Sequence, residues 1–268
     1  MPLKNFLIKQ EFFINFRMIY VMEFIEKIYP GFQNFLSFLT GGSFCLCCGT
    51  KTYAIPLCKN CQSRVKKIES FSSSKRCKKC GKILVSEIEL CSECRKKTEK
   101  SSLDFIFPVT MYRLWLKDLL YAWKTENQRT LSPFFAKIIY NALQMIKTEF
   151  GFEFDGIVPV PMRPGKLKVK GWDQIDELCR ILKNKHKIKI LPVLERLTTI
   201  EQKTLNREQR RNFSGSAYAL KKNVQLNGKS FLILDDVITT GSTMEKCAGV
   251  LKKNGAEQVC ALSLFMVD

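Results

Sequence analysis

Three textures of apolar and polar positions follow one another along the chain. Phe12, Phe13, Phe16, Ile19 and Tyr20, then Phe24, Ile25 and Ile28, recur at helical spacing. They form one apolar face, so residues 1–43 are expected to be an N-terminal amphipathic helical segment packed on another part of the protein. Its polar face is not strongly basic, which argues against a helix lying on a membrane surface. No stretch approaches the roughly 18–20 uninterrupted apolar residues of a membrane span. The longest candidate, around Met18–Met22, is broken by Arg17, Glu23 and Glu26.

Residues 44–98 hold too little apolar material to close a core. From residue 103 the pattern changes again. Phe105–Thr110, Gly156–Pro161, Phe231–Leu234 and Gln258–Met266 read as strands, and Leu114–Trp123, Phe134–Phe150, Gln174–Lys183 and Thr243–Asn254 as helices. Strands alternating with helices predict an α/β domain over residues 103–268 with a mostly parallel sheet flanked by helices.

The middle region is held by cysteine instead of by apolar packing. Eight cysteines form four C-x-x-C knuckles: Cys45/Cys48, Cys58/Cys61, Cys77/Cys80 and Cys91/Cys94. Two intervening residues let a tight turn aim two thiolates at one metal, and two knuckles complete a tetrahedron around Zn²⁺. A double zinc ribbon with two structural zinc sites is expected over residues 44–98, since so short a segment cannot fold on its core alone. Spacing leaves the pairing of knuckles open, a crossed arrangement included. Gly49 and Gly81 each follow the second cysteine of a knuckle, where the turn favours positive φ. Cys47 stands outside the scheme as a bystander. A disulfide framework is the alternative, but no apolar region with a small-residue cleavage site stands at the N-terminus, and a cytoplasmic location is expected.

The formal charge is +19. Each four-thiolate zinc site carries about −2, so two sites bring the chain to about +15. A basic chain points to a polyanionic partner, nucleic acid or a phosphorylated ligand. Lys75, Arg76, Lys78, Lys79, Lys82, Arg95, Lys96, Lys97 and Lys100 surround the knuckles, and Phe44, Tyr53 and Phe71 suit either base stacking or packing.

The most informative stretch is Phe231-Leu-Ile-Leu-Asp-Asp-Val-Ile-Thr-Thr-Gly-Ser-Thr243. A buried strand ends in Asp235 and Asp236, and a Thr/Gly/Ser loop then opens a helix. Amides and hydroxyls of Thr239, Thr240, Gly241, Ser242 and Thr243 would converge on a phosphate at that helix N-terminus. The two carboxylates stand where ligands bind in open α/β sheets, placed to accept from vicinal ribose hydroxyls. The segment resembles the 5-phosphoribosyl-1-diphosphate (PRPP) signature of type I phosphoribosyltransferases. The resemblance implies that Asp235 and Asp236 contact the ribose, that 239–243 cradle the 5-phosphate, and that Mg²⁺ accompanies the diphosphate.

Two further pieces narrow the resemblance. Val158-Pro-Val-Pro161 leads into a basic stretch with Arg163, Lys166, Lys168 and Lys170, and Gly171-Trp-Asp-Gln174 opens a helix. Downstream runs Gln202-x-x-Leu205-x-Arg207-x-x-Arg210-x-Asn212. With the zinc module, these resemble the ComF family of late-competence proteins over roughly residues 28–268. This chain has Gly-Trp-Asp-Gln and Glu201-Gln202 where that family shows Gly-Phe-Asn-Gln and Thr-Gln. By analogy with the type I fold, 162–170 would be a diphosphate loop, and 202–212 a flap bringing Arg207 and Arg210 toward anionic groups.

The resemblance implies an accessory protein of DNA uptake or processing. Its ribbons would bind single-stranded DNA or a helicase partner, and its pocket PRPP or another phosphorylated ligand. An active transferase moving ribose 5-phosphate from PRPP to an acceptor is the alternative, and a ligand-gated interaction protein the next. No residue stands out as a nucleophile or general base, so the catalytic residues stay unassigned. His186 lies in a solvated lysine-rich run and is not expected to be catalytic.

Overall fold

The computed structural model describes residues 41–53, 55–68, 76–84, 86, 88–96, 101–112, 115–163, 165, 171–197 and 217–267. The amphipathic segment before residue 28 lies outside them, as do Phe71, Lys75, Lys97, Lys100, Lys166, Lys168, Lys170, Gln202, Arg207 and Arg210. The chain divides into two compact units, Met1–Cys61 and Gln62–Asp268.

In the smaller unit, β1 (Ser43–Phe44) and β2 (Lys51–Thr52) pair antiparallel around the first knuckle. The Ser43 and Thr52 hydroxyls share a 3.0 Å hydrogen bond. The helix α1 (Lys59–Ile68) begins in this unit and ends in the next.

The larger unit contains the second knuckle pair, with the short helix α2 (Ser92–Lys96), followed by the α/β region. Four parallel strands lie in the order β3 (Phe105–Met111), β8 (Gln258–Met266), β7 (Ser230–Ile238) and β4 (Gly156–Pro159). Parallel strands covered on both faces read as continuous apolar runs, and Phe231, Leu232, Ile233 and Leu234 are all buried. The helices are α3 (Trp115–Lys124), α4 (Ser132–Phe150), α5 (Gln174–His186) and α6 (Ser242–Lys253). A separate antiparallel pair, β5 (Leu194–Arg196) and β6 (Tyr218–Leu220), lies beside α6. Phe231, Ile233, Val259 and Ala261 of the sheet share one core cluster with Met244, Cys247, Val250 and Leu251 of α6.

The strands and helices expected over residues 103–268 are present, with one difference that bears on the site. The strand expected over 231–234 runs on to Ile238, because Val237 and Ile238 continue the ladder with Phe265 and Met266 of β8. Both aspartates therefore lie inside a hydrogen-bonded strand, not at its exit. No described helix is long and apolar enough to cross a membrane.

Candidate ligand pocket and metal-binding clusters

The knuckles gather by sequence neighbourhood. Cys45, Cys48, Cys58 and Cys61 form one set and Cys77, Cys80, Cys91 and Cys94 the other, with the four sulfurs of each within 4.8 Å of one another. Zinc–sulfur bonds of about 2.3 Å at tetrahedral angles place sulfurs roughly 3.8 Å apart. Cys48 and Cys58 sulfurs are 3.6 Å apart, and those of Cys80 and Cys91 3.8 Å. Donor type, number and spacing fit zinc in both clusters.

Both knuckle turns close in the same way. Gly49 N donates to Cys45 O (2.8 Å) and Gly81 N to Cys77 O (2.9 Å), with φ of 72° and 70°. The thiols are already unequal. The Thr50 hydroxyl and amide bring Cys48 down to about 6. At Cys77 burial pushes upward, but the amides of Cys91, Cys80 and Lys79 prevail and bring it down to about 7. Burial drives Cys61 and Cys80 up. A bound cation would displace the protons that remain. Cys47 lies outside both sets, its thiol pushed up to about 12, chiefly by burial.

At the end of β7, a cavity of about 510 Å³ is lined by Asp235, Asp236, Thr239, Thr243 and Arg163. Thr240, Gly241 and Ser242 line a different cavity, of about 860 Å³, together with Lys79, Cys80 and Lys82 of the second knuckle pair. Thr239 borders both. The loop thus forms a wall between two cavities. Gly241 supplies the turn with φ of 77°, and the Thr240 hydroxyl accepts from Ser242 N at 3.3 Å where α6 begins.

The two carboxylates differ. Both line the one cavity, and Asp235 Oδ1 accepts from Asp236 N at 2.8 Å. Asp236 is buried, and its Oδ2 receives Lys124 Nζ at 2.6 Å and Gln174 Nε2 at 2.8 Å. Asp235 lies near enough to Cys247 of α6 to push that thiol further up, beyond the effect of burial. Burial and then the charge of Asp236 push the Asp235 carboxyl up to about 8.

The Gly171–Gln174 motif has a local explanation. Asp173 caps α5, its Oδ1 accepting from Ile175 N at 2.6 Å and Asp176 N at 3.2 Å, and Gln174 then points back to Asp236. Lys124, Tyr112, Tyr121, Arg196 and Tyr218 also line the smaller cavity, and the sequence alone does not single them out. Lys124 is the last residue of α3, where a lysine reads simply as a helix-end cation. Tyr218 is buried, with Arg196 over its ring at 5.3 Å and a hydrogen bond to Thr243. His186 stacks on Tyr140 at 3.9 Å and is not among the residues lining either cavity.

An α/β unit with a carboxylate- and hydroxyl-lined pocket at strand ends, joined to four-cysteine clusters, defines a phosphoribosyltransferase-like class. Residues 192–266 match the family of phosphoribosyl transferase domains. The chain is 29% identical over 208 residues to competence protein F of Haemophilus influenzae, covering 76% of this chain and 87% of that protein. It is 24% identical over 208 residues to competence protein ComFC of Streptococcus pneumoniae, covering 78% and 86%. It is 26% identical over 200 residues to DNA utilization protein YhgH of Salmonella typhimurium, covering 68% and 86%. Over two thirds or more of its length the chain is thus similar to the ComF/YhgH proteins, and residues 192–266 carry a phosphoribosyl transferase domain.

Proposed function

We propose that this protein is a DNA-uptake or DNA-processing accessory factor that binds PRPP, or a ligand sharing its 5-phosphoribosyl group, in the 510 Å³ cavity. The observation that carries the reading is the convergence of Asp235, Asp236, Thr239 and Thr243 on that one cavity. The ribose hydroxyls would donate to the carboxylates. The phosphate would meet Thr239 and Thr243, which line that cavity. Arg163, which lines the cavity, would face the diphosphate, with Lys166, Lys168, Lys170, Gln202, Arg207 and Arg210 assigned there by the family resemblance alone. Mg²⁺ would enter on the ligand's own diphosphate, adding charge neutralisation there.

The two four-cysteine clusters would each hold a structural zinc. Single-stranded DNA would be held at the first cluster, where Phe44 and Tyr53 are 68% and 48% exposed and Lys51 lies over the Tyr53 ring at 5.7 Å. Exposed rings beside a cation suit base stacking next to a phosphate backbone. A helicase partner would complete the role in DNA processing.

The test is calorimetric titration of the zinc-loaded protein with PRPP–Mg²⁺, with and without a single-stranded oligonucleotide. Binding is expected for the parent and lost in Asp235→Ala/Asp236→Ala, with two zincs per chain retained in both. A double variant that binds PRPP like the parent sinks the site assignment. Oligonucleotide affinity is expected to fall steeply with salt. A match to phosphoribosyl transferase domains also supports a second reading, transfer of ribose 5-phosphate to an acceptor. Diphosphate release from PRPP in the presence of candidate acceptors decides it.

A further inference from the structure

Asp236 enters the pocket with one oxygen already engaged. A buried carboxylate needs partners, and Oδ2 takes two, the Lys124 ammonium at 2.6 Å and the Gln174 amide at 2.8 Å. These partners come from separate elements, the end of α3 and the start of α5. The same two elements are joined behind the pocket. In the turn after Lys124, Asn127 adopts φ of 57° and its Oδ1 accepts from Trp172 Nε1 at 2.7 Å. The Trp172 ring meets Trp123 edge-on at 6.2 Å and lies under the Arg129 guanidinium at 5.4 Å. Arg129 in turn pairs with Glu177 of α5 at 3.0 Å. A phenylalanine at position 172 could keep the ring contacts but could not donate to Asn127. The tryptophan therefore ties the turn that delivers Lys124 to the motif that delivers Gln174.

We propose that Lys124 is a positioning residue of the pocket: with Gln174 it fixes Asp236 through Oδ2, so that a ligand hydroxyl is received by the remaining oxygen and by Asp235. The proposal rests on the reading of the cavity as a sugar-phosphate site, and goes beyond it by naming the residue that sets the geometry and charge of the carboxylate pair. Lys124 also acts on Asp235, whose carboxyl is pushed up by burial and by Asp236 and drawn down by the Lys124 charge. The groups facing the pair are Lys124 from α3, the uncharged Gln174 from α5, and Arg196, Tyr218 and Cys247 around Asp235.

The experiment compares the full zinc-loaded chain with Lys124→Met and Lys124→Arg. The first readout needs no ligand: the ¹³C titration of the aspartate carboxyls. In Lys124→Met the Asp235 titration is expected to move to higher pH, and in Lys124→Arg to return toward the parent. An unchanged titration in Lys124→Met overturns the proposal. The second readout is affinity for PRPP–Mg²⁺. Lys124→Met is expected to lose about tenfold to a hundredfold, more at about pH 9, where the parent's Asp235 has ionised and the variant's still holds its proton, than at about pH 6, where both hold it, with Lys124→Arg recovering most of the loss. A loss equal at every pH and not recovered by arginine marks a merely structural lysine and also overturns it. If the parent itself does not bind PRPP, the sugar-phosphate reading fails, and the carboxyl titration alone decides whether Lys124 governs the pair.

Discussion

The two four-cysteine clusters share ligands, spacing and turn chemistry, yet differ in their surroundings. The first sits in a small hairpin closed by one hydroxyl pair, with Cys48 exposed and Phe44 and Tyr53 open to solvent. In the second, Cys77, Cys91 and Cys94 are buried, and Cys80 packs against the main core. Arg76 donates to Gly81 O at 2.8 Å and to Pro108 O of β3 at 3.2 Å, tying the knuckle to the sheet. The Ser101 hydroxyl and the Ser102 amide continue the tie to Glu245 of α6, one turn beyond the loop that borders both cavities. The same four-thiol arrangement thus stands in a small unit of its own in one place and beside the cavities of the α/β region in the other.

The largest effect should come from breaking each cluster in turn. Structural zinc contributes on the order of 10 kcal/mol to folding, comparable with the whole stability of a domain. Cys77→Ser/Cys80→Ser is expected to lose one zinc, lower the melting temperature by about 10 °C or more, and weaken PRPP binding through the shared wall. Cys45→Ser/Cys48→Ser should also lose one zinc. Its main melting transition and PRPP affinity should stay near those of the parent, as befits damage in a separate compact unit. Zinc analysis, calorimetric melting and PRPP titration check this, and equal losses in the two variants erase the distinction.

The equivalent glycines sharpen it. Gly49 and Gly81 have nearly the same φ, 72° and 70°, so alanine carries a similar backbone cost of about 1 kcal/mol at each. Their surroundings do not match. A Cβ on Gly49 meets nothing within 4 Å, whereas one on Gly81 would collide with the Ile106 carbonyl and Pro108 Cδ. Gly49→Ala should cost about 1 kcal/mol, and Gly81→Ala roughly 3 kcal/mol or more, because β3 backbone must yield. Thermal melts of the two variants measure the difference.

That pair also marks where sequence reading reaches its limit. Knuckle spacing and the glycine after the first knuckle of each cluster are local, and they were legible. So were the strand and helix patterns of the α/β region, and the Asp-Asp and Thr/Gly/Ser segment at its loop. The collision at Gly81 was not legible, because it depends on where β3 passes. Lys124 escaped for the same reason: nothing near it in the sequence shows that the end of α3 meets Asp236. The division of the loop hydroxyls between two cavities follows from the Gly241 turn and from the second knuckle pair lying behind it, and a single linear motif shows neither.

The smallest effect contrasts how the two clusters' units are held. The larger unit has a sheet core that carries a cost of its own, the carboxylate pair Asp235 and Asp236. Asp235 is raised from an ordinary 3.8 to about 8, so the folded state holds a proton that the unfolded chain releases. Stability from this group is present below about pH 4 and is lost as pH rises toward 8. Asp235→Asn removes the titrating charge. It should melt above the parent at pH 8, by an amount on the order of 1–3 kcal/mol, with the gain shrinking as the pH falls toward 5.5 and the zinc content unchanged. Parallel melting curves across that range would show that burial does not hold the proton on Asp235. A gain that narrows with acid would identify the cavity at Asp235 as a site where the fold gives up stability.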